Sequence, residues 1–154
     1  MKKFTAIVLA AVMLLPLAAC AGGGSQGGTV GLPNPIVFVD SAKDFEKLGI
    51  SADAPSGARG AAYSIISDEI ANVDFTMDGH SYTLRVSKKD EDFSGLYGTE
   101  DEPRTLEGGA VLTPVKSGGQ VWYRLSWEND GTHYILINND GAAENDIIKV
   151  YGNY

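Results

Sequence analysis

Two parts of the chain alternate between apolar and polar residues with a period of two. Apolar side chains occupy every second position in residues 73–77 and again in residues 82–86, with Asp78-Gly79 between the two runs. Residues 121–127 and 134–136 repeat the pattern around Asn129-Asp130-Gly131. A period of two buries one face of a strand, and Asp-Gly favours a tight turn. The sequence therefore predicts two β-hairpins, each with one buried face.

Three shorter apolar runs predict further strands. They are Ile36–Val39, Tyr63–Ile66 and Val111–Lys116, and they are rich in the β-branched and aromatic residues that fit a pleated sheet. Pro114 has no amide hydrogen to donate, so we expect the third of these strands at a sheet edge or a bulge.

A short helix is predicted near the start of this region. Ser41-Ala42-Lys43-Asp44 resembles a capping box, in which the first and fourth residues satisfy each other's backbone amides. The helix would turn Phe45 and Leu48 inward and end at Gly49, because glycine commonly ends helices.

A second helix is predicted at the C-terminal end. It would begin at Asn139-Asp140-Gly141 and present one apolar stripe. The stripe consists of Ala143, Ile147, Val150 and Tyr151. We expect it to cover the second face of the later hairpin, which carries Trp122, Ile135 and Ile137 and would otherwise be exposed.

These elements together predict an α+β domain. Its core would be a twisted antiparallel sheet of about six strands, with an N-terminal and a C-terminal helix packed against it. The domain would span residues 36–154, a length at which one hydrophobic core is the rule.

The N-terminal residues have the organisation of a bacterial lipoprotein signal. A basic start is followed by an apolar run, and the run ends in Leu17-Ala18-Ala19-Cys20, which resembles a lipobox. The 16 residues Phe4–Ala19 would form about 24 Å of helix, which is short for a hydrocarbon core of about 30 Å. We therefore expect residues 1–19 to be a signal peptide and Cys20 to be lipidated. Residues 20–35 would then be the lipidated cysteine and a Gly-rich tether.

This N-terminus predicts a place in the cell. The protein would be exported and anchored by its lipid to the outer face of the cytoplasmic membrane, or to the outer membrane in a Gram-negative cell. Cys20 is the only cysteine, so no disulfide can form within the chain.

The net charge of the chain bears on which classes of molecule it can bind. Without Lys2 and Lys3 the chain has 10 basic and 20 acidic residues, a formal net charge of −10. Such a domain repels phosphate backbones, so we expect no nucleic acid partner. The acidic balance is also common in solvated exported domains.

The acidic segment between the hairpins suggests one cation site. Asp90, Asp92, Ser94, Gly95 and Asp101 fall at positions 1, 3, 5, 6 and 12 of a calcium-loop pattern. The usual final glutamate is replaced by aspartate, and a solvated acidic loop explains the same residues. Calcium is the only cofactor that the sequence suggests, and otherwise none is expected.

Few other residues are candidates for a binding, metal or catalytic site. Trp122 and Arg124 are two residues apart in a strand, so they share a face and form a candidate partner-binding surface. The two histidines, His80 and His133, follow the two hairpin turns and lack the spacing of a zinc pair. No nucleophile, phosphate-binding loop or selected acid–base pair is recognisable, so we do not expect an enzyme.

The order of elements resembles domain-of-unknown-function family 4367, an extracytoplasmic domain of Gram-positive lipoproteins and anti-sigma-factor ectodomains. The residues that carry the likeness are Asn34-Pro35-Ile36-Val37, Ser41–Ile50, Asp90–Gly95 and Trp127–Leu136. The resemblance implies an exported, membrane-proximal module that binds or senses, and it implies no catalytic residues.

Three function classes follow from this reading. The first is a lipid-anchored module that binds a protein, a peptide or an envelope component. The second is a carrier or sensor of an apolar ligand held between the sheet and its helices. The third is a hydrolase, which would need carboxylates or histidines that converge in a cleft.

Overall fold

A computed structural model describes residues 35–154, in which nine strands form one antiparallel sheet. The predicted signal peptide, the predicted lipidation site Cys20 and the predicted tether up to residue 34 lie outside the described residues. In chain order the strands are β1 (Ile36–Val39), β2 (Arg59–Ile66), β3 (Ile70–Met77), β4 (His80–Ser87), β5 (Thr99–Glu100), β6 (Arg104–Thr105), β7 (Val111–Ser117), β8 (Gln120–Asn129) and β9 (Thr132–Asn138). A 3-10 helix spans Ala42–Leu48, and the α-helix α1 spans Glu144–Tyr151.

The strands are ordered β1-β2-β3-β4-β9-β8-β7-β5, and β6 also pairs with β7. Both predicted hairpins form. The β3–β4 turn has Asp78 at φ 52° and Gly79 at φ 89°, and the β8–β9 turn has Asp130 at φ 50° and Gly131 at φ 67°. Two consecutive positive φ angles give the turn whose twist matches that of the flanking strands, and Asp-Gly tolerates them best.

The core lies on one face of the sheet, which we call the core face. Large side chains that are at most 1 % exposed fill it, among them Tyr82, Leu84, Leu125 and Leu136. Phe45 of the 3-10 helix packs into the same cluster, as do Ile147 and Val150 of α1. The fold is therefore a sheet with short helical segments on its core face.

The predicted helical contribution needs correction. The sheet has nine strands instead of about six, and the predicted short N-terminal helix is a 3-10 helix, so α1 is the only α-helix of the described residues. The amide of Asp44 donates to the carbonyl oxygen of Ser41, three residues earlier, at 3.1 Å. The Ser41 amide in turn donates to the Asp44 carboxylate at 3.2 Å. With only seven residues before Gly49, this tighter turn suffices to bury Phe45.

The predicted packing position of α1 is also wrong. The helix packs on the core face, where the ring of Tyr151 lies 5.0 Å from that of Trp127 between centroids. The opposite face, with Ile135 and Ile137, is covered by residues 88–98, which we call the strap. That face also carries Arg85 and Arg124, whose guanidinium groups need hydrogen-bond acceptors when they are buried. A loop supplies carbonyl and carboxylate acceptors, whereas an apolar helix stripe does not.

Pro114 predicted an edge or a bulge for this strand, and β7 is not an edge strand. Its outer side is paired by two separate short strands, since β6 pairs with Val111 and Leu112, and β5 pairs with Val115 and Lys116. The interruption between β5 and β6 falls at Thr113–Pro114, where the proline offers no amide hydrogen. The missing donor therefore splits the neighbouring strand instead of making β7 an edge.

Candidate functional site

Trp122 and Arg124 both lie on β8, on the strap side of the sheet. Trp122 is half-buried opposite Val115 of β7. The Arg124 side chain is only 14 % exposed, and its guanidinium donates to Asp92 Oδ2 at 2.7 Å and Glu100 Oε1 at 2.8 Å. Because both acceptors belong to this chain, Arg124 fastens the strap and β5 to β8, and its donors are not directed at an outside partner.

The strap crosses the sheet over a small apolar cluster of its own. Phe93 and Leu96 pack against Ile135 and Ile137 of β9. The Ser94 amide donates to Asp92 Oδ1 at 2.8 Å, and the Leu96 amide donates to Ser94 Oγ at 3.1 Å. These local bonds hold the strap in a fixed turn, with its apolar side chains against the sheet.

Arg85 of β4 anchors the middle of the strap. Its Nη1 donates to the carbonyl oxygens of Phe93 at 3.0 Å and Ser94 at 2.6 Å, and its Nε donates to Asn72 Oδ1 at 3.1 Å. Burial lowers the pKa of Arg85, although the nearby carboxylates, Asp74 first, act in the opposite direction. The guanidinium stays charged, because an arginine pKa is far above neutral.

A polar row continues from Arg85 across the same face. Asn72 donates to Asp74 Oδ2 at 2.9 Å, and the Thr83 hydroxyl donates to Asp74 Oδ1 at 2.5 Å. Asn139 then donates to Thr83 Oγ1 at 2.7 Å. Every member of the row bonds to another member, so Asp74 is a structural acceptor in this arrangement.

The structure does not bring the calcium-loop residues together around a cation. Asp92 pairs with Arg124, and Asp101 pairs with Lys116 at 2.7 Å. Ser94 is a buried residue of the strap, and Asp90 is 93 % exposed with its Oδ1 3.7 Å from His133 Nδ1. Within residues 35–154, no group of three or more acidic, histidine or cysteine side chains is placed to hold a metal ion. The acidic segment is used for ion pairs within the chain.

The two histidines have separate surroundings. His80 Nδ1 lies 3.3 Å from Asp140 Oδ1, while His133 faces Asp90 on the strap side. Each histidine is thus next to a different carboxylate, and they do not form a common site.

Two surface clefts flank these elements. One of about 340 Å³ lies between the start of the strap and the β8–β9 hairpin, and Asp90, Asp92, Arg124 and His133 line part of it. The other, of about 370 Å³, is lined by six residues, Gly57, Arg59 and Thr76–Gly79. Neither cleft is lined by residues of the 3-10 helix or α1, so neither corresponds to the predicted apolar site between sheet and helices.

Among residues 35–154 the most exposed apolar segment is β1, at one end of the sheet. Phe38 is 80 % exposed, Ile36 is 55 % exposed and Val37 is 50 % exposed. In the described structure β1 pairs only with β2, on one side. An uncovered row of backbone groups beside apolar side chains is a template for another strand.

The direction of the β1 backbone groups follows from one hydrogen bond. The Ser67 amide donates to the Pro35 carbonyl oxygen at 2.8 Å, on the β2 side. In an antiparallel ladder successive residues alternate between pointing to one neighbour and to the other. The amide and carbonyl of Val37 therefore point to β2, and those of Ile36 and Phe38 point outward.

The opposite end of the sheet is built differently. Strands β5 and β6 have two residues each and carry Glu100 and Arg104. Arg104 forms an ion pair with Glu144 of α1, and the adjacent Asp101 pairs with Lys116. Short strands and charges are the usual means of blocking an edge. The two ends therefore contrast, because β1 is twice as long as β5 or β6 and none of its four residues is charged.

Three tyrosines near the core face have raised pKa values. The Tyr63 hydroxyl donates to Asp53 Oδ1 at 2.6 Å, and this hydrogen bond, with burial and the negative charge of Asp53, raises the pKa of Tyr63 to about 12. Burial, followed by the charges of Asp146, Asp140 and Asp78, raises the pKa of Tyr82 to about 12. Burial also raises the pKa of Tyr154, whose ring packs on Trp127.

Sequence reasoning missed Arg85, Asn72 and the open edge of β1. A signal for the first two was present, because the predicted β3–β4 hairpin places Asn72 opposite Arg85 on its polar face. No comparable signal marks an edge, since the order of strands in a sheet does not follow from alternation.

Among the described residues, no helix is long and apolar enough to cross a membrane. A scan against protein-family models, a search of curated proteins and a search of solved structures each give no match to this chain.

Proposed function

We propose that this protein is a lipid-anchored, extracytoplasmic module that binds a protein, a peptide or an envelope component. The observation that carries the binding role is the open edge of β1, where Ile36, Val37 and Phe38 are all at least half exposed. Adding a strand at such an edge satisfies backbone groups and covers apolar side chains at once. Membership of the extracytoplasmic domain family 4367 is part of the same proposal.

The anchoring half of the proposal is supported by the sequence. Cys20 follows Leu17-Ala18-Ala19 in the pattern of a lipobox. A flexible, Gly-rich chain of the length of residues 21–35 has an end-to-end distance of about 20 Å. Because β1 begins at Ile36, its open edge would lie close to the point of attachment. Attachment raises the local concentration of a membrane-bound partner.

Metabolic labelling with a clickable palmitate analogue tests the anchor. Wild-type protein should incorporate the label and sediment with membranes, whereas Cys20→Ala should do neither. Equal incorporation in the two proteins, or none in either, would contradict lipid anchoring at Cys20.

Site-specific photo-cross-linking on intact cells tests the binding role. A p-benzoylphenylalanine residue at position 38 should give a discrete cross-linked product larger than the chain. The matched control is the same residue at Tyr97, which is 85 % exposed but lies on the strap. Products that are identical from positions 38 and 97, or absent from position 38, would count against β1 as the binding surface.

A carrier of apolar ligands is not favoured by the described clefts. Both lie outside the layer between the sheet and the helices, and that layer is filled by side chains such as Phe45, Leu84 and Ile147, each fully buried. We therefore put forward a single function.

A further inference from the structure

We propose that the ligand of β1 is an extended peptide segment of a partner protein, with apolar residues at alternate positions and a lysine or arginine at each end. It would add to the sheet as a tenth strand beside β1. This inference rests on the proposed binding function and names the class of ligand for the same surface.

The backbone of β1 sets the first requirement. Ile36 and Phe38 each direct one amide hydrogen and one carbonyl oxygen outward, because the carbonyl of Pro35 and both backbone groups of Val37 point to β2. A partner in extended conformation matches this spacing, since backbone groups on one side of a strand recur every second residue. Recognition at this level is independent of the partner's sequence.

The side chains of β1 set the second requirement. Ile36 lies opposite Ile66 of β2 and Phe38 lies opposite Ser64, so Ile36 and Phe38 extend the strap-side face of the sheet. An added strand would place alternate side chains directly beside them, within cross-strand contact distance. Apolar residues at those positions cover Phe38, the more exposed of the two.

Charge sets the third requirement. Asp40 follows the last residue of β1, and Asp68 follows Ser67, whose amide bonds to Pro35 at the other end. Both carboxylates are exposed, and within residues 35–154 neither forms an ion pair. An apolar strand bounded by two such carboxylates is complementary to a segment with a cation at each end.

The same charges disfavour a second copy of the chain as the occupant. Antiparallel pairing of β1 with itself would bring Asp40 of one copy toward Asp68 of the other at both ends of the contact. Like charges placed across a strand pair are destabilising, and each mature copy also has a formal net charge of −10. A positively charged peptide segment would be attracted by these carboxylates instead of repelled.

Fluorescence anisotropy with a defined peptide tests the inference. The full chain is reconstituted in nanodiscs of phosphatidylcholine, whose headgroup has no net charge, and titrated into labelled Lys-Lys-Thr-Val-Thr-Ile-Thr-Lys-Lys. Wild-type protein should bind it, and the affinity should fall as salt is added. Two peptide controls should bind at least about tenfold more weakly. One has glutamate in place of every lysine, and the other has proline in place of both the valine and the central threonine, so that an amide facing β1 is lost in either strand orientation.

Protein variants locate the contact. Phe38→Pro removes an outward amide without breaking a β1–β2 bond, and it should weaken binding by about tenfold or more. Asp40→Asn combined with Asp68→Asn should weaken binding several-fold and reduce the salt dependence. Asparagine tolerates the positive φ of 58° at residue 68. Tyr97→Ala should leave the affinity unchanged, and thermal unfolding checks that each variant folds.

The outcomes separate this inference from the proposed function. Equal binding of the lysine and glutamate peptides, or wild-type affinity in Phe38→Pro, overturns the inference. If position 38 cross-links to a partner while the lysine peptide does not bind, the binding function stands and the ligand class is wrong. A cross-linked product of twice the chain mass that contains only this chain would identify a second copy and overturn the inference as well.

Discussion

Gly98 passes over β7 where the structure leaves no room for a side chain. A Cβ atom there would lie 2.3 Å from the carbonyl oxygen of Lys116 and 3.0 Å from Cγ1 of Val115. Gly98→Ala must therefore displace backbone, and it should destabilise the domain by about 1–3 kcal/mol, as overpacking does. Urea denaturation measures the change.

Gly152→Ala is the matched control. A Cβ atom at Gly152 would meet nothing closer than 3.5 Å, and its φ of −62° suits alanine. We expect this variant to unfold within about 0.5 kcal/mol of wild type. Equal destabilisation by the two alanines would show that the strap does not pack on β7 as described.

Tyr63 links the stability of the domain to alkaline pH. Its pKa is raised from 10.0 to about 12, chiefly by the hydrogen bond to Asp53. The unfolded chain therefore loses the phenolic proton before the folded chain does. The contribution of protonated Tyr63 to the free energy of unfolding is present in full below about pH 10, and it is lost as the pH rises toward about 12.

Removing the Tyr63 hydroxyl tests this linkage. Tyr63→Phe should be less stable than wild type at neutral pH and should lose less stability between about pH 10 and 12, as measured by denaturant unfolding at each pH. Tyr63→Phe should still lose some stability between about pH 10 and 12, because burial raises the pKa of Tyr82 to about 12 as well. Identical pH profiles for the two proteins would contradict the Tyr63–Asp53 bond.

At the scale of elements, Arg85 joins the strap to the sheet. Its guanidinium donates to the carbonyls of Phe93 and Ser94, and both of these residues are buried. Arg85→Ala leaves these acceptors without their donor, so it should cost about 2–4 kcal/mol and expose the strap. Limited proteolysis together with urea denaturation measures both effects.

Arg104→Ala provides the comparison for Arg85. Arg104 pairs with Glu144, and both side chains are exposed, 55 % and 39 % respectively. Exposed pairs contribute little, so this variant should lose less than about 1 kcal/mol and leave the strap resistant to protease. Equal losses in the two variants would show that Arg85 does not anchor the strap.

Local signals in the sequence predicted local elements well. The alternation in residues 73–77 and 82–86, with Asp78-Gly79 between them, specified a hairpin because period and turn chemistry agree. The choice of face for α1 could not be predicted this way. The later hairpin is apolar on both sides, and only the assembled sheet shows that Arg85 and Arg124 require polar partners on one of them.

The candidate site was predicted in part for a similar reason. Ile36–Val39 was identified as a strand, but four consecutive apolar residues are also typical of a fully buried strand. Its place at the end of the sheet depends on the strand order, which is a property of the whole fold. Arg124 was identified as a binding residue, yet its donors are used by Asp92 and Glu100, residues distant from it in sequence.

At the scale of the whole molecule, the sheet has two unlike ends. One is closed by the short, charged strands β5 and β6, and the other is the apolar strand β1. An unprotected apolar edge strand promotes aggregation unless a binding partner covers it. β1 begins 16 residues after Cys20 in the sequence, which is consistent with the proposed module that meets its partner at the membrane.

Amide hydrogen exchange of the full chain without ligand tests the open edge most directly. Val37 should be protected through its bonds to β2, while the outward amides of Ile36 and Phe38 should exchange rapidly. Addition of the lysine-ended peptide should then protect Ile36 and Phe38. Protection of all three amides in the protein alone would mean that the edge is already occupied, and it would contradict the account.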